Sequence, residues 1–292
     1  MQTIDVINQL NQLHEKYKGY IRKCIVTVVV DIMKGVIIFP IFILLRLRRL
    51  DTTIINIILF MILGYFVKQC FSCKRQYARI YKEKFVLSVM NQTFSDVRVD
   101  WNHGFTKEQV SQMGIVEMGD DFKSDMHVWA SYQGVKFEQS YVIITCTDSD
   151  GDVKSHLGGH IFMVDTQKKD IASVNIVSKT FQQPAKYKKS MYEDVQMESV
   201  DFNERFDVRT CVTRSADAFY ALTPQVMEHL VTLQKRRKMI SACFVCGKLY
   251  IACWSMKNIF DGNIRKPLVY TDEMNKIRDE FQDVKEIVEL VS

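Results

Sequence analysis

Two Cys-x-x-Cys pairs, Cys70-Phe-Ser-Cys73 and Cys243-Phe-Val-Cys246, carry the spacing in this sequence most like a metal or redox site. A zinc ribbon needs a second pair at comparable spacing, and the only thiol after Cys246 is Cys253. In a regular strand Cys243 and Cys246 also point to opposite faces. If the helical segments around Cys24 and Cys70 pair antiparallel, Cys24 joins Cys70 and Cys73 in a three-thiol cluster, with no fourth ligand at plausible spacing. His156 and His160 share a strand face at i, i+4 around Gly158-Gly159, but two histidines alone do not make a zinc site. For all seven residues the structural reading outweighs the metal one, because Cys packs as a small apolar residue. No cofactor follows from them.

Asp31 and Lys34 sit three residues apart inside an apolar run, so their side chains meet on one helix face. Intramembrane charges raise an ion relay as a hypothesis, while a locally neutralised pair near one end of a span is the plainer reading. Asp148-Ser-Asp-Gly-Asp152 lacks the acid that closes a calcium loop at the twelfth position and reads as a hairpin turn. The chain contains no Gly-x-Ser-x-Gly, P-loop or His-Glu-x-x-His motif, so no catalytic residue is assigned. The basic run Gln234-Lys-Arg-Arg-Lys238 suits a helix C-terminus near a bilayer surface better than a nucleic-acid groove.

The elements that must position these groups divide by solvent. With 292 residues, 12 Gly and 4 Pro, collagen-like and disordered classes are excluded, and eight Cys are too dilute for a disulfide scaffold. Nothing at the N-terminus reads as a cleavable signal. The mean hydropathy of −0.07 averages two populations. Residues 1–90 hold 14 Lys plus Arg against 5 Asp plus Glu, net +9, whereas residues 91–292 hold 25 against 29, net −4.

Residues 24–45 and 52–71 read as two spans joined by a short Arg-containing turn, a hairpin in which all backbone polar groups pair internally. Ten Lys and Arg flank the spans on the outside, from Lys16 to Lys23 and from Lys68 to Lys84, against Arg46, Arg48 and Arg49 in the turn. That bias predicts a multi-pass protein of the cell membrane with both termini cytoplasmic, and reduced thiols with them. Ile7, Leu10, His14, Tyr17, Ile21 and Cys24, and then Cys70, Cys73, Tyr77, Ile80, Lys84 and Leu87, form heptad-like seams that predict a helical stalk.

After Met90 the pattern predicts a cytoplasmic domain over residues 91–292. Residues 127–132, 136–147, 153–164 and 171–177 read as strands, and 239–254 as a hairpin about Gly247-Lys248. Ser215 and Thr223 read as helix N-caps, and a last helix from Thr271 carries the apolar stripe Met274, Ile277, Phe281, Val284, Val288 and Val291. The fold class is α+β: an N-terminal transmembrane helical hairpin with a helical stalk, then a mainly antiparallel sheet packed with helices.

Phe202, Phe206 and Val208, then Ala218, Leu222-Thr223-Pro224, Met227 and Leu230, then Leu249-Tyr-Ile-Ala252, resemble a bacterial membrane-protein family known only as a domain of unknown function, the DUF3137 family. Gly134 to Phe137 and Gly159 to Phe162 are similar as well. The resemblance implies two N-terminal spans and one cytoplasmic domain, and implies no substrate. A membrane-anchored interaction module at the inner face of the membrane, binding an unknown protein or small molecule, is the leading function. A membrane-associated enzyme without a recognisable motif and a small transporter subunit are the alternatives. The expected partners are the bilayer and that unknown ligand, with no nucleic acid; a homo-oligomer is compatible.

Overall fold

The computed structural model describes residues 2–33, 50–147, 150–166, 168, 170–181, 184, 191–237, 239–255, 260 and 262–291. Contacts divide the chain into two units, residues 1–89 with 259–276 and residues 90–258 with 277–292.

The first unit is built on α1 (Gln2–Met33) and α2 (Leu50–Ile80), which continues as a π-helix over Tyr81–Val86. The Lys16 charge acts on the Cys73 thiol and Lys23 lies 5.6 Å from the Phe66 ring, an antiparallel order. Leu10, His14, Cys73, Tyr77 and Ile80 are buried, as the heptad spacing predicts. Beyond Ile80 the expected seam fails: Lys84 is exposed and Tyr81, Phe85 and Val86 are buried instead. The π-helix holds more residues per turn than the α-helix and rotates the buried face off the heptad register.

A segment from the far end of the sequence straps α1. Asn11 binds Leu268 twice, accepting from its N–H at 2.8 Å and donating to its carbonyl at 3.2 Å, and His14 Nδ1 meets the Ile264 carbonyl at 2.7 Å. Gly262 lies so close to Tyr81 that a Cβ would stand 2.6 Å from its ring. Among the described residues one helix, residues 57–93, is long and apolar enough to cross a membrane. Residues 34–49, with Lys34 and most of the first expected span, lie outside the described residues, as does the side chain of Asp31 in α1.

In the second unit α3 (Leu87–Thr93) leads into β1 (Ser95–Asp100), α4 (Lys107–Met113), β2 (Asp121–Tyr132), β3 (Val135–Thr147), β4 (Val153–Asp165), β5 (Val174–Ser178) and β6 (Tyr192–Asp194). Then come α5 (Val200–Arg205), β7 (Phe206–Cys211), α6 (Ala216–Ala221), α7 (Pro224–Arg237), β8 (Ile240–Val245), β9 (Lys248–Trp254) and α8 (Tyr270–Glu289), which begins in the first unit. The nine strands form one sheet in the order β1-β2-β3-β4-β9-β8-β5-β7-β6. Each neighbouring pair is antiparallel. The chain is thus α+β with a large antiparallel sheet packed with helices.

Strand alternation gives the sheet two covered faces. On one, α4 and the segment after it close over Val142, Ile144, Leu157, Ile161 and Ala252. On the other, the rings of Phe94 and Phe281 pack with Phe137 in a chain of edge contacts 5.0 and 5.2 Å apart. The apolar stripe of α8 is buried at Met274, Ile277, Phe281, Val284 and Val288, as its spacing predicts.

The helix caps differ from one helix to the next. Residues 200–205 form a short helix capped by Ser199, whose Oγ accepts from Phe202 N. Ser215 does not cap α6: it has helical dihedrals and no side-chain cap bond, because a 3-10 turn over Val212–Arg214 already precedes it. Thr223 does accept from Val226 N, with Pro224 at the first helical position.

Candidate functional site

A bulge decides what the two strand histidines do. The β3–β4 register passes from Ile144 opposite Leu157 to Thr145 opposite Ser155, leaving His156 as the extra residue. His156 Nδ1 binds the Glu117 carbonyl at 3.2 Å. His160 is buried and meets Gln139 and Glu280. The expected shared face is therefore lost, because one inserted residue shifts the side-chain alternation. Gly159, between them, does mark a close approach: a Cβ there would stand 2.0 Å from the Cys253 carbonyl oxygen.

The thiols are placed as follows. Cys24 and Cys70 share a hydrogen bond, with Cys73 one turn on. Cys243 is buried in β8, whereas Cys246 is exposed in the β8–β9 turn at φ 48°. Among the described residues no group of three His, Cys, Asp or Glu side chains is arranged to hold a metal.

His160 belongs to a buried charged knot beneath α8. The Gln139 amide donates to His160 Nδ1 at 2.9 Å, so the ring proton sits on Nε2, 3.5 Å from Glu280. Arg237, at the end of α7, reaches Glu280 at 2.5 Å and also binds Asp283, while Arg236 binds Asp283 at 2.9 Å and pairs with Glu286. Desolvation holds His160 below its ordinary pKa, against the pull of Glu280. Burial pushes the Asp283 carboxyl up although Arg237 and Arg236 oppose it, and burial pushes the Cys253 thiol up. The basic run at the end of α7, expected to face a bilayer, is at Arg236 and Arg237 committed to acids of α8. Each charge in the knot has a partner, so its work is to fix α7 and α8 on the sheet.

The opposite face of the same strands is open at one end. Glu138 and Gln139 are adjacent on β3 and point to opposite faces: Gln139 enters the knot, while Glu138 lines a cavity of about 690 Å³. That cavity spans β1 to β4 and β9, with Arg98, Trp129, Lys136, Glu138, Met163 and Lys248 among its walls. Its volume falls in the range of small-molecule sites. Two bulges shape it. The β1–β2 register slips between Ser95 and Arg98, with Asp96 at φ 54°, and β2–β3 slips between Asp125 and Val128, with Met126 at φ 56°. Such bulges bend an edge and re-aim its side chains.

At the centre Trp129 keeps 37% of its surface exposed yet is firmly held. Its indole stacks on His127 at 3.8 Å and 17°, and His127 in turn touches Phe105 at 4.6 Å and donates from Nε2 to Glu138 at 2.8 Å. A positioned, half-exposed aromatic costs little entropy when a ligand stacks on it. Around it Lys248 pairs with Asp165 at 3.1 Å. Asp100 accepts from the Asn102 and His103 backbone and meets the His103 ring, bonds that hold its carboxyl below the usual range. Arg98 and Lys136 have no acid within ion-pair reach among the described residues. Trp129, Arg98 and Lys136 were not candidates from sequence, although the alternation of His127 and Trp129 on one strand face was legible there.

No curated protein matches this chain. The solved structure of the mycobacterial trehalose monomycolate transport factor A, TtfA, is similar over 72% of this chain and 93% of that chain, at 9% identity and a TM-score of 0.37. That likeness carries no argument about this chain. The model of the family described as "Protein of unknown function (DUF3137)" matches residues 155–292, so the C-terminal part of the chain carries a domain of unknown function.

Proposed function

We propose that this protein is a membrane-anchored binding module, in which the N-terminal helices form a two-span hairpin with both termini cytoplasmic. The sheet unit then presents its open face to a partner at the inner side of the membrane. Anchoring is supported by an apolar belt that faces outward on both helices: Ile25, Val26, Val28, Val29, Val30 and Ile32 on α1, and Ile57, Ile58, Phe60 and Met61 on α2 are exposed. A belt of that size in water marks a membrane or protein contact, and Lys and Arg beside it suit anionic headgroups.

The observation that carries the binding reading is the rigid, half-exposed Trp129 inside a concave, charged groove. The test is photo-crosslinking and pull-down of the full chain from detergent-solubilised membranes, comparing it with Trp129→Ala. The bound partner is expected to be lost in the variant at unchanged expression; retention of the same partner at the same yield removes the groove reading. Resistance of the protein to alkaline carbonate extraction is expected alongside, and release into the soluble fraction removes the anchor.

A further inference from the structure

We propose that the groove binds a ring-bearing phosphate ester, with the ring on the Trp129 indole and the phosphate held between Arg98 and Lys136. This rests on the groove being the binding site. Two cations of the groove are left without an ion-pair partner among the described residues. Of the lining acids, Asp165 pairs with the Lys248 ammonium, while Glu138 and Asp100 bond to the rings of His127 and His103. The cations that remain without an acid partner among the described residues are Arg98 and Lys136. They stand on the two strands that flank Trp129: Arg98 is directly opposite Trp129 across β1–β2, and Lys136 is opposite Ser131 across β2–β3.

The three side chains share one face of the sheet, since Arg98 pairs with Trp129 and Trp129 with Glu138, two residues from Lys136. A guanidinium offers the planar fork that suits a phosphate, and an ammonium adds a second positive charge. The indole face accepts a flat or apolar ring. Asp96, the lining carboxylate without an ion-pair partner among the described residues, stands beside Arg98 and accepts from hydroxyl groups on such a ring. A lone inorganic anion would use the cations and leave the platform bare; an uncharged ring would do the reverse. The ester uses both, and the volume of about 690 Å³ admits it. A nucleotide and a sugar phosphate both present this chemistry.

Isothermal titration of the full chain in detergent micelles separates them, using adenosine monophosphate, glucose 6-phosphate, adenosine, glucose and inorganic phosphate. At least one ester is expected to bind, at least tenfold tighter than its uncharged parent and than inorganic phosphate, and the ester that binds names the source. Arg98→Ala, Lys136→Ala and Trp129→Ala are each expected to weaken it about tenfold or more. Arg98→Lys and Trp129→Phe, which keep charge and ring, are expected to retain part of the affinity and guard against loss through misfolding. Binding by neither ester, inorganic phosphate binding as tightly as an ester, or ester affinity indifferent to Arg98→Ala and Lys136→Ala overturns the ligand class. In each of those cases a partner whose capture still depends on Trp129 keeps the groove reading alive, whereas capture indifferent to Trp129→Ala removes both.

Discussion

Beneath α8 the sheet meets Arg236, Arg237, Glu280, Asp283 and His160, all packed and paired; on its other face Arg98, Lys136 and Asp96 border a cavity without ion-pair partners among the described residues. The residue types are nearly the same. Burial makes the difference. Under α8 each charge left unpaired would lose its hydration with nothing in return, so the arrangement closes on itself. In the groove Arg98 and Lys136 stay exposed, so solvent can hydrate them without a protein partner.

The largest effect is expected at Arg237. Arg237→Ala leaves Glu280 and Asp283 buried without their main cation, and a loss of about 3–5 kcal/mol is expected in urea unfolding of the full chain in detergent. A loss below about 1 kcal/mol would show that the knot bears little of the packing. Gly159→Ala probes the backbone contact beside the knot. A methyl 2.0 Å from the Cys253 carbonyl must push β4 from β9, at a cost of about 1–3 kcal/mol, and an unshifted unfolding midpoint contradicts the close approach.

His160 adds a pH signature just below neutrality. Its folded pKa lies below the unfolded value of about 6.5, so the unfolded chain binds the extra proton first. Its contribution is complete above about pH 6.5 and is lost as pH falls below that value, by up to about 1.4 kcal/mol per pH unit. His160→Gln is expected to flatten that part of the stability profile between pH 7.5 and 5.5; an unchanged slope shows that other groups set it. The smallest effect lies across the sheet. Lys136→Ala is expected to change stability by no more than about 0.5 kcal/mol, as for an exposed side chain without a partner. A larger loss in thermal unfolding makes Lys136 structural and blurs the contrast between the faces.

Much of the architecture was legible in local patterns. Alternation placed β3 and β4 within a residue or two, and the 3.6-residue stripe found α8 with its buried face. The start of α4 is marked locally by the Thr106 to Gln109 capping box, and its end by Gly114, at φ 65°. The groove was less accessible. Trp129, Arg98 and Lys136 lie on three strands, and their meeting depends on two bulges that no turn residue announces. The same holds for His156 and His160, parted by a single inserted residue.

By itself the sequence determined the things that depend on near neighbours: the length of its apolar runs, a basic first part against an acidic remainder, and the periods of strand and helix. Only the tertiary structure decided which charges pair with one another and which stay exposed without an ion-pair partner among the described residues. Pairing of Arg237 with Glu280 is set by side chains tens of residues apart brought within a few ångströms, and Coulomb and desolvation energies depend on that distance and burial rather than on sequence order.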